Sequence, residues 1–402
     1  MRCAASSEVR LPHRVRQVGA TTSDLFTLIE QDGTCDASLE PDISEGELQT
    51  LYRTMLLTRR VDERAMRLQR QGRIAAYVAS TGQEASHVGS AYAMAPQDWM
   101  FPAYRELGAA LMRGFGLNTL FCQLFGNADD LQKGHQMPVH WGDRRLNIVT
   151  SSSPLGTQLP PAVGVAFAAR FCGDPVVTLT YFGDGATSTS DFHAALNFAG
   201  VWKAPTVFFC ANNKYAISMP VEQQTAAQTL AIKATAYGFE GVRVDGADVL
   251  AVYLATKRAI DKARQGGGPT LIEAVAERIA GHTSSDDPTR YRDSAELEAA
   301  KKKDPLERFR RYLARKSLWD ASFEQTCCSE IDAAIAEAIR ICEPIAKPHV
   351  GSLFEDVYAT IPAHLLEQLR EANTVDFVAT PTNKDVVSLM DEQDAGRRAG
   401  TE

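Results

Sequence analysis

The residues best suited to chemistry follow two apolar runs of the sequence. Asp184 comes just after the run at 175–182, and Asn213 and Tyr215 come at and after the end of the run at 205–213. If the two runs are neighbouring parallel strands, their carboxyl ends meet in one crevice. A carboxylate, an amide oxygen and a main-chain carbonyl form half of a hard-oxygen shell, which suits Mg²⁺ with phosphate oxygens and water as its other ligands. The pattern therefore predicts a magnesium and diphosphate site.

Small residues around Asp184 support the same prediction. Gly183 and Gly185 let the backbone approach a diphosphate, because neither glycine carries a side chain. The next helix is expected to start near Ser188 or Ser190, and its first N–H groups would face the phosphates.

Each motif alone has a simpler explanation, since Gly-Asp-Gly is a common turn and Asn-Asn a common strand end. Their combination is more specific, because the 26 residues between them fit one crossover helix and one strand. The sequence has neither a Walker loop nor a Rossmann glycine motif. This combination is typical of enzymes that bind thiamine diphosphate.

The elements that position these residues alternate between strand and helix. A long helix is expected from Ser44, which forms a capping-box pattern with Glu47, to about Gly72. Later strands are predicted at 175–182, 205–213, 241–246 and 269–279, with helices at 162–171, 191–202, 225–237 and 249–265. Near-continuous apolar strands are typical of buried parallel sheets. We therefore expect an α/β fold with a doubly wound, mainly parallel sheet and helices on both faces.

The chain divides into four expected parts. Residues 1–43 form an N-terminal arm that lies along a surface, and 44–295 form the α/β domain that binds the diphosphate. Residues 296–374 form a C-terminal helical extension, and 375–402 form a flexible tail.

Composition excludes several classes of protein. The 402 residues are 45% hydrophobic with a net charge of −8, which argues against a nucleic-acid binder. The most apolar internal run, at 160–169, is too short to cross a bilayer, so we expect no membrane span. The eight cysteines include no C-x-x-C pair, which favours a reducing compartment.

Longer stretches make the prediction more specific. These are FPAYRELG, KGHQMPVHWGD, SSSPLGTQLPPAVGVAFAA, YFGDGATSTSDFHAALNFAG, FFCANNKYAIS, RVDGADVLAVY and AGHTSSDDPTRYR. The chain resembles alpha subunits of the decarboxylating component of 2-oxo acid dehydrogenase complexes from about Glu45 to Glu371. It is most similar to the branched-chain members, through Thr157-Gln158 and Asp286-Asp287-Pro288 among other motifs. The resemblance implies the thiamine-diphosphate-binding fold.

The resemblance also implies roles for individual residues. Asp184, Asn213 and the carbonyl of Tyr215 would hold Mg²⁺. A second cation, K⁺, would lie at Ser152, Pro154, Thr157 and Gln158. Contacts to the cofactor are implied for Tyr104, Arg105, Ser153, Leu155, Gly183, Asp184, Gly185, Ala186, Asn213, Tyr215 and His282. Ser153 would lie beside the aminopyrimidine ring and the reacting carbon.

His282 is the residue expected to do chemistry, together with Ser153. It lies in a polar loop just past a strand, and a histidine moves protons near neutral pH. In the family the matching residue assists acyl transfer to lipoamide. The residues that would order its loop are Arg278, Asp286, Tyr291 and Arg292.

Other polar residues have simpler expected roles. A surface ion pair with Glu106 is the alternative for Arg105. His193 is expected to pack on its helix. His135 and His140 are not expected to form a metal pair, because five-residue spacing would separate them on a helix. Ala211 replaces an arginine that can contact the diphosphate in relatives, so phosphate binding would depend more on Arg105 and His282.

The implied reaction is thiamine-dependent oxidative decarboxylation of branched-chain 2-oxo acids, with acyl transfer to a lipoyl group. The chain would require a beta subunit, in an α2β2 heterotetramer docked on a lipoyl acyltransferase core. Two alternatives stay open: a pyruvate or acetoin dehydrogenase alpha subunit, and a non-catalytic scaffold of the same fold.

The expected location is the cytoplasm of a bacterium. The alternative is the mitochondrial matrix, with the arginine-rich residues 1–20 as a transit peptide.

Overall fold

A computed structural model describes residues 22–374 of the chain. Its centre is a five-stranded parallel sheet with the strand order β1-β2-β3-β7-β6. These strands are β1 (Trp99–Phe101), β2 (Thr178–Gly183), β3 (Thr206–Asn212), β6 (Glu240–Asp245) and β7 (Thr270–Val275). A small hairpin, β4 (Tyr215–Ala216) and β5 (Met219–Pro220), follows β3. The expected adjacency of the two apolar strands is confirmed, because β2 and β3 pair directly.

Twelve α-helices surround the sheet within the described residues. They are α1 (Glu45–Arg70), α2 (Glu84–Tyr92), α3 (Leu107–Met112), α4 (Leu117–Phe125), α5 (Leu159–Cys172), α6 (Ser190–Trp202), α7 (Val249–Arg264), α8 (Ser294–Lys301), α9 (Pro305–Arg315), α10 (Ala321–Cys342), α11 (Ser352–Glu355) and α12 (Ala363–Thr374). Ser44 caps α1 through the predicted capping box with Glu47. Between residues 22 and 374, no helix has both the length and the apolar content that a membrane crossing needs.

Hydrophobic cores cover both faces of the sheet, as expected for a doubly wound fold. Tyr181 and Phe209 belong to the larger core, which α1, α2 and α7 share. Their chain neighbours Phe182 and Phe208 belong to the second core, under α5 and α6. Successive strand residues point to opposite faces, so both faces of β2 and β3 must be apolar. The cysteines within the described residues are all free thiols.

The segment before α1 is more deeply built into the fold than we expected. Phe26 pairs with Val244 at the edge of β6. Leu28 and Ile29 are buried, and both backbone N–H groups donate to the Asp248 carboxylate at 2.6 Å. The segment is therefore anchored against the α/β body at these residues, because Asp248 supplies the acceptor that their buried backbone needs. Residues 1–20, for which a transit peptide was the alternative, lie outside the described residues, as does the expected tail at 375–402.

The helix predicted at 225–237 is largely absent from the structure. Only a 3₁₀ helix at Ala231–Tyr237 forms. The Thr225 hydroxyl accepts from the N–H of Ala227, and the Thr229 hydroxyl accepts from the N–H of Ile232. The Thr225 contact, two residues on, competes with helix formation, and the Thr229 contact, three residues on, is of the kind that starts a helix, so helical structure begins only after Thr229.

Candidate active site

A cavity of about 550 Å³ opens at the carboxyl ends of β2 and β3. Thirteen of the fifteen predicted site residues line it: Tyr104, Arg105, Ser152, Ser153, Leu155, Gln158, Gly183, Asp184, Gly185, Ala186, Asn213, Tyr215 and His282. Only Pro154 and Thr157 are not among the lining residues, although both lie in the same loop. The structure therefore brings together residues that are up to 178 positions apart in the chain.

Asp184 is the carboxylate of this cavity and is 2% exposed. Its Oδ2 accepts a 2.8 Å hydrogen bond from Gln224 Nε2. Burial raises the pKa of this carboxyl group, while the Gln224 hydrogen bond opposes the rise. A buried carboxylate at a cavity wall favours a bound cation, because the cation replaces the lost hydration. Asp184 therefore fits the magnesium site expected from the sequence.

The other two expected magnesium ligands lie in the turn after β3. Asn213 Oδ1 accepts from the N–H of Tyr215 at 3.3 Å, and the carbonyl of Tyr215 accepts from Arg278 Nη1 at 3.2 Å. Between them, Lys214 has a φ of 72°, which a residue with a side chain rarely adopts. Both expected oxygen ligands are thus held by a strained turn that needs support.

Glu273 supplies that support from the neighbouring strand β7. Its Oε1 accepts from Asn212 Nδ2 at 2.8 Å, and its Oε2 accepts from the N–H of Ala231 at 3.0 Å. Asn212 Oδ1 in turn accepts from the N–H of Lys214 at 3.1 Å. Sequence reasoning missed Glu273, because a single carboxylate in an apolar strand carries no local signal of its partner.

Glycines keep the floor of the cavity open. A Cβ on Gly185 would lie 2.7 Å from the Cβ of Ala216, closer than packed carbon atoms allow. A Cβ on Gly183 would meet nothing within 4 Å, so this position leaves free space in the cavity wall. After a 3₁₀ turn at Asp184–Ser188, α6 begins at Ser190, one of the two predicted starts.

Arg105 is buried rather than on the surface, with 6% exposure. Its Nη1 donates to the carbonyl of Ala79 at 2.5 Å, and its Nη2 lies 3.1 Å from the carbonyl of His282. Its backbone N–H, not its guanidinium, contacts the Glu106 carboxylate. The alternative of a surface ion pair with Glu106 is therefore wrong.

The loop that carries His282 is ordered by the predicted residues. The Asp286 carboxylate accepts from the N–H of His282 and from the Tyr291 hydroxyl, both at 2.6 Å. Arg278 Nη2 donates to the Tyr291 hydroxyl at 2.7 Å, and Arg292 Nη1 donates to the carbonyl of Arg278 at 2.5 Å. The loop thus holds His282 in one place at the cavity wall.

The pKa of His282 is lowered to about 4. Burial is the main cause, and the charges of Arg105 and Arg278 add to it. The imidazole is therefore neutral near pH 7 when the cavity holds no anion. Of the two guanidinium groups, that of Arg105 lines the cavity beside His282, and a guanidinium at this place favours phosphate oxygens.

Oxygen atoms converge in the loop predicted to hold K⁺. Ser152 Oγ lies 2.9 Å from Thr157 Oγ1, which itself lies 3.0 Å from the carbonyl oxygen of Pro154. Gln158 donates through Nε2 to the carbonyl of Tyr181 at 2.6 Å. Its Oε1 is buried and has no hydrogen-bond partner within residues 22–374. An unpaired buried oxygen in the same loop as two paired hydroxyls fits a cation ligand.

The remaining histidines differ in part from expectation. His135 and His140 lie in a loop with turns, not on a helix, so the helical reason for separating them does not apply. His140 lines the cavity and hydrogen-bonds to Ser153, a contact that sequence reasoning missed. Pro138 lies between the two histidines and disfavours a helix, which was the available signal. His193 lies on α6 with an exposed ring that bonds to the Tyr237 hydroxyl.

Comparison with known proteins gives this site a family. Residues 52–350 match the model of the dehydrogenase E1 component, a thiamine-diphosphate-dependent family. The alpha subunit of mitochondrial 2-oxoisovalerate dehydrogenase from Caenorhabditis elegans is 44% identical over 338 residues, which cover 84% of this chain and 78% of that protein. The Dictyostelium discoideum protein of the same name is 41% identical, with 86% of this chain and 79% of that protein covered.

The human protein of that name is 40% identical over 346 residues, which cover 86% of this chain and 78% of that protein. These matches confirm the resemblance inferred from the sequence motifs. The chain belongs to the dehydrogenase E1 component family, and its relatives there include 2-oxoisovalerate dehydrogenase alpha subunits.

Proposed function

We propose that this chain is the alpha subunit of a branched-chain 2-oxo acid dehydrogenase. Its reaction is the oxidative decarboxylation of 3-methyl-2-oxobutanoate and related acids, with transfer of the acyl group to the lipoyl group of an acyltransferase. The observation that carries the proposal is the single cavity that gathers Asp184, Asn213, Arg105 and His282. Such acids arise from valine, leucine and isoleucine, so the chain acts in the breakdown of these amino acids.

Thiamine diphosphate supplies the carbanion chemistry when bound. The residues of this chain bind and orient it. Asp184, Asn213 and the Tyr215 carbonyl hold Mg²⁺, and the open wall at Gly183 admits the diphosphate. Arg105 and His282 lie together at the cavity wall, where a forked guanidinium pairs with phosphate oxygens.

Further polar groups complete the proposed cofactor site. Tyr104, Ser153, Leu155 and Ala186 line the cavity where the rest of the cofactor lies. The oxygen atoms of Ser152, Pro154, Thr157 and Gln158 hold K⁺, which fixes the loop that carries Ser153.

His282 is the group of this chain that moves a proton during acyl transfer. Its lowered pKa leaves the imidazole neutral, and a bound anionic diphosphate would raise that pKa toward neutrality. A group whose pKa lies near the working pH both accepts and donates protons efficiently.

A beta subunit completes the enzyme. The described residues contain one large sheet, whereas a thiamine site of this family requires two α/β domains. An apolar surface on α5 and α6, which we call the α5–α6 face, is exposed and suits this partner. It consists of Phe167, Phe171, Phe198, Val201 and Trp202, with exposures from 37% to 84%. A surface of this kind on a soluble chain marks a protein interface.

We propose an α2β2 heterotetramer docked on a lipoyl acyltransferase core. The aromatic rings of Phe167 and Phe198 pack on Trp202 with centroid distances of 4.6 and 4.7 Å, so the α5–α6 face is preformed. The chain alone is expected to be inactive. We also propose the division of the chain into the α/β domain at 44–295 and the helical extension at 296–374.

The test is decarboxylation by the chain co-expressed with its beta subunit, with Mg²⁺ and thiamine diphosphate and an artificial electron acceptor. We expect a preference for 3-methyl-2-oxobutanoate over pyruvate, and loss of turnover in Asp184→Asn. A preference for pyruvate would support the pyruvate or acetoin dehydrogenase alternative and leave the cofactor site standing. Cofactor binding without turnover on any 2-oxo acid would support the scaffold alternative.

The cellular location is a separate proposal. The relatives described above are named as mitochondrial proteins, which supports the matrix alternative over the bacterial cytoplasm. Fusing residues 1–20 to a reporter protein tests it, because a transit peptide would direct the reporter into mitochondria.

A further inference from the structure

Lys233 contacts the turn that carries Asp184, although it is not among the residues that line the cavity. Its Nζ donates to Thr187 Oγ1 at 2.9 Å and lies 3.3 Å from the carbonyl oxygen of the same residue. The same ammonium group lies 5.8 Å from the centroid of the Phe192 ring, a distance that allows a cation–π contact. Lys233 is thus held against one end of the 3₁₀ turn at Asp184–Ser188.

The Thr187 hydroxyl links Lys233 to Asp184. It donates to the carbonyl oxygen of Asp184 at 2.8 Å. A lysine ammonium group only donates, so the hydroxyl accepts from Lys233 and uses its one hydrogen for the Asp184 carbonyl. Thr187 is 1% exposed, so bulk solvent does not compete for this hydroxyl. Two consecutive hydrogen bonds therefore tie the backbone of Asp184 to Lys233.

The short helix that carries Lys233 also supports the turn after β3. This 3₁₀ helix begins at Ala231, whose N–H donates to Glu273 Oε2 at 3.0 Å. Glu273 Oε1 in turn holds Asn212, the chain neighbour of Asn213. One 3₁₀ helix is thus bonded to the turns after both β2 and β3.

The sheet alone does not set the spacing of the two proposed side-chain ligands of Mg²⁺. The backbone pairing of β2 with β3 ends one residue before Asp184 and two residues before Asn213. We propose that Lys233 is a positioning residue that, through Thr187, sets the place of Asp184 relative to Asn213 in the magnesium site. This rests on the proposed function, which assigns Mg²⁺ to that site. Mg²⁺ requires ligands close to octahedral positions, so a small displacement of Asp184 weakens its binding.

The experiment measures Mg²⁺ binding separately from turnover. The assembled α2β2 protein, with saturating thiamine diphosphate, is unfolded thermally at a series of Mg²⁺ concentrations, which gives the Mg²⁺ concentration for half-maximal stabilisation. We expect Lys233→Met and Thr187→Val each to raise this concentration about fivefold or more, because each removes at least one hydrogen bond. The double variant should raise it no further than Thr187→Val alone, because the Lys233 contact requires the Thr187 hydroxyl. Turnover should return to the wild-type rate at saturating Mg²⁺.

Two matched variants separate positioning from a general loss of stability. Lys347→Met removes a lysine that also donates to a backbone carbonyl, that of Phe125 at 2.6 Å, and neither residue lines the cavity. This variant should lower the melting temperature but leave the Mg²⁺ dependence unchanged. Thr187→Ser keeps the hydroxyl and should keep the wild-type Mg²⁺ dependence.

The possible results distinguish this inference from the proposed function. If Lys233→Met does not assemble, the comparison of Thr187→Val with Thr187→Ser decides, because this hydroxyl is the partner of Lys233. A wild-type Mg²⁺ dependence in Lys233→Met or Thr187→Val, even with a lower melting temperature, would overturn the inference while leaving the proposed function intact. A wild-type protein that thiamine diphosphate does not stabilise at any Mg²⁺ concentration would overturn the proposed function itself.

Discussion

Asn212 Nδ2 donates to Glu273 Oε1 at 2.8 Å, and this contact couples strand β7 to the proposed magnesium turn. The carboxylate sets the orientation of the Asn212 amide, because only the amide nitrogen can face it. The amide oxygen is thereby directed to the N–H of Lys214, where the backbone turns with a positive φ. Glu273 thus supports both neighbouring ligand positions without being a ligand itself.

Replacing Glu273 tests this support. Glu273→Leu should raise the Mg²⁺ concentration needed for half-maximal stabilisation by thiamine diphosphate about tenfold, since an unpaired buried amide costs about 1–3 kcal/mol. Thermal unfolding during a Mg²⁺ titration measures it. Glu273→Gln keeps an oxygen that can accept from Asn212 and is the matched control. Equal Mg²⁺ dependence in both variants would contradict the supporting role.

His282 is fixed in one tautomer by Arg105. Arg105 Nη2 lies 3.2 Å from His282 Nδ1, and a guanidinium only donates, so Nδ1 accepts and the hydrogen is on Nε2. His282→Gln can still donate a hydrogen bond, whereas His282→Phe cannot. We expect the affinity of the Gln variant for thiamine diphosphate to stay within about fivefold of the wild-type affinity, because at most one hydrogen bond is lost. Both variants should lose acyl transfer to lipoamide by about 100-fold or more.

Calorimetry with thiamine diphosphate and steady-state kinetics with a lipoyl acceptor separate these two effects. His364→Gln, at an exposed position of α12, serves as the control for introducing the amide. A wild-type rate of acyl transfer in His282→Phe would show that His282 takes no part in that step.

Phe171 is the most exposed residue of the α5–α6 face, at 84%. Phe171→Glu should weaken α2β2 assembly about tenfold or more, because a desolvated charge at an interface is costly. The fold of the chain should be unaffected, since the side chain has few contacts within it. Light scattering over a dilution series measures assembly. Leu25→Glu, which changes an exposed leucine next to the residue that pairs with the outer strand β6, should leave assembly intact. Normal assembly of the Phe171 variant would place the beta subunit elsewhere.

His87 on α2 predicts a pH dependence of stability. It is fully buried, and neither ring nitrogen has a hydrogen-bond partner in the described part of the chain. Burial, with the charge of Arg105, lowers its pKa to about 3. The unfolded chain takes up this proton below about pH 6.5, whereas the native state does not until about pH 3. Native stability is therefore lost as the pH falls through this window.

At pH 5 the loss attributable to His87 should be about 2 kcal/mol relative to pH 7.5. Urea unfolding of wild type and His87→Phe at both pH values measures this contribution. The other titrating groups are common to both proteins, so the difference in the pH dependence of the unfolding free energy comes from His87. The pH-dependent difference should be absent in a comparison of wild type with His193→Phe, at an exposed histidine of α6. The same pH dependence in wild type and His87→Phe would refute the assignment.

The parts of the fold that the sequence predicted were those with local signals. Ser44 and Glu47 are three residues apart and cap α1 as expected. Asp184 and Asn213 end adjacent apolar strands, so the pairing of those strands brought both residues to the same cavity. Patterns that span one turn or one crossover carry enough information for such predictions.

The contacts that were not predicted join distant parts of the chain. Glu273 meets Asn212 across 61 residues, and Asp248 meets Leu28 across 220. His140 meets Ser153 through a loop without periodicity. Single polar residues carry no sign of a partner that far away, so only the three-dimensional packing reveals them.

Both outer strands of the large sheet have a short backbone partner. Phe26 pairs with Val244 of β6, and Ile148 pairs with Met100 of β1. An open outer strand would offer its N–H and C=O groups to a strand of any other molecule, which is a common route to aggregation. Because these two short segments occupy those groups, the molecule resists growth into a continuous intermolecular sheet.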